Sequence, residues 1–258
     1  MRFFAGMLML GLGLPLFAAE PKPKVRVGKI LSRTYQFKEA GRKMTYSLFL
    51  PRAYDPEKKW PLVVALHGLY SNPWQLMLYP GLVVQADKLG YIVVAPMGYN
   101  SKGWYGSRGH RSASSKPKNL GELSEKDVLN VLAIVEKEFA VDDRNIFLMG
   151  HSMGGGGTWH LGMKFPKKWA ALAPLAPAAP RNIGDLHKIK DIPVVMVMGT
   201  RDSLWRSGLK WVEAMKKLEM DFSYFEVKKG GHVLPVIAKL PAVFAFFEKH
   251  RRKPLTKP

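Results

Sequence analysis

Asn145-Ile146-Phe147-Leu148-Met149-Gly150-His151-Ser152-Met153-Gly154-Gly155-Gly156-Gly157-Thr158-Trp159 is the stretch on which the reading of this chain turns. Asn145 to Met149 is a short apolar run with strand character, and Met153 to Phe165 follows a helical pattern. The order is therefore strand, sharp turn, helix, with Ser152 at the turn. Such a turn forces its central residue into a strained conformation and lifts the side chain above the sheet edge. Gly150 and Gly154 carry no Cβ and leave it room. The helix start also aims backbone N–H groups at the serine oxygen, where a developing negative charge would be stabilised. Ser152 is thus a candidate nucleophile; the structural alternative is a buried serine at a glycine-rich helix start.

Outward from this turn the pattern repeats. Leu31 to Phe37 and Met44 to Leu50 are β-prone runs around a glycine-containing turn, which predicts an N-terminal antiparallel hairpin. Pro61 to Leu66 is continuously apolar, as in a strand covered on both faces. A helix over Leu82 to Leu89 and a strand over Tyr91 to Ala95 follow. Ser124-Glu125-Lys126-Asp127 resembles a capping box, opening a helix with Val128, Leu132, Val135 and Phe139 at helical spacing. Strands over Trp169 to Leu175, Ile192 to Met198 and Phe222 to Val227 alternate with helices over Trp205 to Leu218 and Pro235 to His250. The alternation predicts an α/β fold, a mainly parallel central sheet with helices on both faces. No repeat or composition break divides it, so residues 20–258 are expected to form one domain with a basic C-terminal tail.

Met1-Arg2, an apolar run from Phe3 to Phe17 and Ala18-Ala19 form the pattern of a secretory signal peptide over residues 1–19. The run falls short of the about 20 apolar residues of a spanning helix, so a secreted or periplasmic location is expected. The chain has no cysteine, which excludes disulfides, thiolate metal sites and a cysteine nucleophile. Its 40 Lys and Arg against 20 Asp and Glu give +20, enough for non-specific attraction to anionic surfaces. The charges are spread from Lys22 to Lys257 and no nucleic-acid motif is present, so no specific nucleic-acid partner is expected. The chain is expected to act as a monomer.

A serine nucleophile needs a base, and the base an orienting carboxylate. In a strand–turn–helix setting these follow in the order Ser, Asp or Glu, His, each in a loop beyond the C-terminal end of a later strand. Asp191 and Asp221 precede their strands. Asp202 follows one, with Asp185 in the preceding loop as the second choice. His160 lies inside a helix, His187 precedes a strand and His250 is in the tail. His232 follows the strand ending at Val227 and takes the base role. The loop Leu66-His67-Gly68-Leu69 is placed to supply one oxyanion N–H, from Leu69 or its neighbour Tyr70, and Met153 the other. His67 reads as a brace for that loop. No His and carboxylate stand at a metal spacing, so neither metal nor cofactor is expected.

Leu66-His67-Gly68, Gly121-Glu122, Gly150 through Trp159, Gly199 through Asp202 and Gly231-His232 together resemble the α/β-hydrolase superfamily. Within it they are most similar to the secreted feruloyl-esterase, polyhydroxybutyrate-depolymerase and "predicted peptidase" branch. The resemblance runs over about residues 43–248. It implies a serine carboxylic-ester hydrolase with a Ser-His-Asp triad and an acyl-enzyme intermediate, acting on small or aromatic, feruloyl-like acyl esters, free or polymer-linked. A serine peptidase of the same fold, a polyester depolymerase and a non-catalytic binding relative are the alternatives. Only Ala176 to Asp191 could hold an inserted cap, which is too short, so no large cap domain and an open cleft are expected. The long loop Met97 to Leu120 carries Tyr99, Trp104 and Tyr105, then Arg108, His110, Arg111, Lys116 and Lys118. Trp104, Tyr105, Tyr70 and Trp205 are the candidate substrate-binding residues.

Overall fold

The computed structural model describes residues 26–111, 114–180 and 182–252. The signal sequence expected over residues 1–19 lies outside them. Strands β1 (Ile30–Phe37) and β2 (Arg42–Phe49) form the hairpin, turning at Gly41 in the left-handed region with φ 59°. β3 (Trp60–Leu66) leads to a short helix α1 (Pro73–Met77), which the sequence pattern did not announce. Its start is held by the Asn72 side chain, which accepts from the Gln75 N–H. Then come α2 (Leu82–Leu89), β4 (Ile92–Pro96), α3 (Leu120–Glu138), β5 (Val141–His151) and α4 (Met153–Lys164). The chain continues through β6 (Leu172–Leu175), β7 (Val194–Gly199), α5 (Trp205–Lys217), β8 (Phe222–Val227) and α6 (Leu234–Lys249).

The eight strands form one sheet in the order β1-β2-β4-β3-β5-β6-β7-β8. β1–β2 and β2–β4 pair antiparallel, and every later pair is parallel. This is the α/β-hydrolase fold. Leu62 through Leu66 are wholly buried because helices cover both faces of the central strands. Each such Leu or Val contributes about 1.5–3 kcal/mol of gross burial energy, most of it offset by lost chain entropy. The register sets Leu66 beside Gly150, His151 beside Leu175 and Gly199 beside Val227. The C-terminal ends of β3, β5, β7 and β8 therefore share one edge of the sheet. Among the described residues, no helix is long and apolar enough to cross a membrane.

One sequence expectation is corrected here. Ser124 does not cap α3; the helix begins four residues earlier, at Leu120, and Ser124, Glu125 and Asp127 are buried within it. Their side chains serve the tertiary structure instead. Ser124 Oγ accepts from the Tyr105 N–H at 3.0 Å, and Asp127 Oδ2 accepts from the Gly98 N–H at 2.6 Å. A capping pattern and a set of loop-holding acceptors look alike in sequence, because both use short polar side chains.

Candidate active site

β5 runs directly into α4, and Ser152 at the junction adopts φ 59°, ψ −115°. This is sparsely populated backbone for a non-glycine residue, costing on the order of 1–3 kcal/mol, and it persists only where the surroundings enforce it. The enforcement is steric. A Cβ at Gly154 would collide with the Leu66 carbonyl oxygen of β3, so only glycine lets α4 start this close to the sheet.

Asp202 lies just beyond β7 and His232 just beyond β8, and the structure brings them together. His232 Nδ1 stands 2.6 Å from Asp202 Oδ2, while Asp202 Oδ1 accepts from the Leu204 N–H at 2.9 Å. The carboxylate is 1% exposed and the imidazole 35%. With Nδ1 donating to a buried carboxylate, the ring is held in the tautomer whose Nε2 carries a lone pair. Ser152, Asp202 and His232 line one cleft of about 560 Å³ with Leu69, Trp104, Arg108, Ala178, Arg201, Ser203 and Leu204. Asp185, the second-choice carboxylate, is instead paired with Lys188 at 2.7 Å.

The remaining candidates divide. Leu69 faces the cleft, and Met153 opens α4, where its N–H belongs to the unsatisfied first turn. The Tyr70 N–H is already donated to Ser101 O at 2.9 Å, so Leu69 remains the loop's candidate donor. Tyr70 itself is not a cleft-lining residue; its exposed ring packs under Lys102, 5.1 Å from the centroid. Trp104 lines the cleft with the Arg108 guanidinium 3.5 Å from its ring centroid. Tyr105 is corrected: it is wholly buried, its hydroxyl donating to His67 O at 3.2 Å. Gly157 of α4 makes the slot for its ring, since a Cβ there would lie 2.7 Å from a ring carbon. Trp205 is corrected as well. Its indole N–H donates to Glu226 at 3.0 Å, and Leu204 takes the place at the cleft. The His67 ring spans from Gly68 O at 2.8 Å to Met97 O at 2.9 Å, tying the β3 loop to the one after β4.

Sequence reasoning passed over several residues. His151, next to Ser152, is buried with its ring 4.7 Å from that of His232. Its Nε2 meets His232 O at 3.1 Å and its Nδ1 meets the Tyr79 hydroxyl at 2.9 Å. Burial, and then the neighbouring His232, push the His151 pKa down to about 4. It is therefore neutral near pH 7, with Nε2–H donating and Nδ1 accepting. Its place in the turn motif was the available signal. Arg201 also lines the cleft, beside Asp202. Finally, His110, Glu125 and His160 gather ligand-type atoms within 4.8 Å of one another, and none of the three lines the cleft.

A strand–serine–helix turn on an α/β-hydrolase sheet, with a histidine–aspartate pair on the same cleft, defines the class to which this chain belongs. The family model described as "Putative esterase" matches residues 38–227, and the chain is a member of that esterase family. It is 25% identical over 167 residues to a bifunctional acetylxylan esterase/xylanase of Neocallimastix patriciarum, covering 65% of this chain and 22% of that protein. It is 30% identical over 152 residues to the acylamino-acid-releasing enzyme of Rattus norvegicus, covering 57% of this chain and 19% of the other. The chain thus spans about a fifth of the length of these curated relatives. In fold it is similar to a ferulic acid esterase at TM-score 0.68 and 17% identity, covering 86% of this chain and 99% of that one.

Proposed function

We propose that the chain is a serine carboxylic-ester hydrolase. The observation that carries this is the buried Asp202 carboxylate 2.6 Å from His232 on the cleft that also holds the strained Ser152. His232 Nε2 takes the proton of Ser152 Oγ as that oxygen attacks the ester carbonyl carbon. The carbonyl oxygen becomes an oxyanion held by the N–H groups of Leu69 and Met153. Collapse expels the alcohol, which receives the proton from His232 and leaves an acyl-Ser152 ester. Water then attacks that ester with His232 again as base, releasing the acid and restoring Ser152. Asp202 keeps the imidazole oriented and stabilises its cation.

The substrate reading rests on the cleft's lining. Trp104 offers an aromatic wall to a small or planar acyl group, while Arg108 and Arg201 favour substrates carrying negative charge. The residue 1–19 pattern supports export, and +20 supports loose association with anionic surfaces. The decisive test is labelling with a fluorophosphonate. One adduct per chain, mapped by mass spectrometry to Ser152, supports the reading; no adduct, or one elsewhere, removes it. The likeness to an acylamino-acid-releasing enzyme favours a second reading, a peptidase. Higher kcat/KM on an N-acylalanine anilide than on an acetyl or feruloyl ester would favour that reading over the first.

A further inference from the structure

We propose that His110, Glu125 and His160 form a binding site for a divalent transition-metal ion, Zn²⁺ foremost, apart from the cleft. The three side chains come from separate elements: the loop between β4 and α3, the second turn of α3, and α4 two turns beyond Ser152. They converge on one atom. His160 Nε2 lies 2.7 Å and His110 Nε2 3.0 Å from the same carboxylate oxygen, Glu125 Oε2. Ligands about 2.0–2.1 Å from a tetrahedral Zn²⁺ are roughly 3.4 Å apart, so both contacts need to open by well under 1 Å. Two imidazoles and one carboxylate are a donor set that suits Zn²⁺, Co²⁺, Ni²⁺ or Cu²⁺ rather than the oxygen-seeking Mg²⁺ and Ca²⁺.

Two further observations favour an ion over a closed hydrogen-bond network. Glu125 is buried, and a buried carboxylate requires compensating positive charge. Lys164 supplies some, with Nζ 2.7 Å from Oε1, but Nζ also stands 2.9 Å from His110 Nε2. One ring nitrogen cannot donate to Glu125 Oε2 and accept from an ammonium at once, so hydrogen bonds alone leave one of these contacts repulsive. An ion taking both Nε2 lone pairs and Oε2 removes the conflict. Lys164, 37% exposed, can keep Oε1 and turn its other side to water.

The site's position says what it would do. A Cβ at Gly106 would lie 2.8 Å from His160 Nε2 and 3.0 Å from Glu125 Oε2. The turn that carries Trp104 and Tyr105 therefore rests directly against two of the ligands, His160 and Glu125. An ion there would fasten this turn to α3 and α4, a structural rather than a chemical part in any reaction at the cleft.

The test uses the full chain, stripped with a chelator and then dialysed. Zn²⁺ added alone should bind by calorimetry at one ion per chain and raise Tm, and Co²⁺ should give a ligand-field absorption band. His110→Ala and His160→Gln should each weaken Zn²⁺ binding roughly tenfold or more and shrink the Tm shift accordingly. His110 is 40% exposed, so its truncation carries the test even if His160→Gln fails to fold. Absence of Zn²⁺ and Co²⁺ binding by the wild-type chain overturns the proposal. So does undiminished one-to-one binding in His110→Ala, which would place the ion elsewhere, for example at His232 and Asp202.

Discussion

Asp202 and Glu125 are both buried carboxylates that hold histidine nitrogens, yet they are built for different ends. Asp202 has one imidazole partner and one backbone N–H, and its histidine opens onto the cleft. The second ring nitrogen of His232 is the one the proposed mechanism uses as its base. Glu125 instead collects His160, His110 and Lys164. Burial pushes its pKa up, but hydrogen bonds from those three groups outweigh it and bring the carboxyl down to about 2. These three side chains come from the loop before α3 and from α4 and meet at the carboxylate, an arrangement suited to fastening chain segments. A carboxylate with one directed partner orients; a carboxylate with three clamps.

The sharpest break of this contrast is catalytic. Ser152→Ala and His232→Ala should each lower kcat on a p-nitrophenyl ester by about 10⁶, and Asp202→Asn by about 10⁴, with Tm nearly unchanged in the serine variant. Retained turnover in Ser152→Ala would remove the mechanism.

The Glu125 side should behave inversely. Glu125→Ala should cost about 2–4 kcal/mol of stability, because it strands His160 and Lys164 without their shared acceptor. Thermal unfolding should then shift down by several degrees. Residual kcat should fall far less than in Asp202→Asn. An unchanged Tm would mean that the cluster clamps nothing.

How much of this was legible in the sequence depends on what carried the information. Strand ends and chain order restrict Ser152, Asp202 and His232 to a few loops, so their convergence on one cleft could be read without coordinates. Side-chain direction inside a loop has no such restriction. Trp104 and Tyr105 are adjacent, yet one faces the cleft and the other fills the slot at Gly157. The convergence of His110, Glu125 and His160 was invisible for a related reason. They are separated by 15 and 35 residues, and no periodicity links a loop to two different helices. Ser124 misled because its hydroxyl accepts from a distant loop rather than from its own helix.

His151 tests whether the His232 side also depends on a neutral support. Its pKa is about 4 in the fold and near 6.5 unfolded. The unfolded chain therefore binds the proton more readily, and stability falls as pH drops. The contribution is fully present above about pH 6.5 and is lost as pH falls towards 4. It is worth on the order of 3 kcal/mol across that window. His151→Phe should flatten the wild-type loss of stability between those limits, measured by urea unfolding at a series of pH values. Parallel curves for the two proteins would show that His151 takes up no proton on unfolding.

Trp104 gives the smallest effect and sets the limit of the substrate reading. Its ring lines the cleft with Arg108 stacked on it at 3.5 Å, so one face of the indole is already covered by a guanidinium. Only the remaining face or edge can meet an acyl group. Aromatic contact is worth about 0.5–1.5 kcal/mol beyond area burial, a factor of about two to ten. Trp104→Ala should therefore lower kcat/KM for a hydroxycinnamoyl ester about two- to tenfold more than for an acetyl ester. Equal losses would assign Trp104 to holding Arg108 and the loop in place. Arg108→Ala separates the two roles: it frees the second indole face, so it should spare the aromatic preference while weakening selection for negatively charged esters. A loss of the aromatic preference in Arg108→Ala would mean that the guanidinium holds the indole in position, and that the acyl-group preference belongs to the stacked pair.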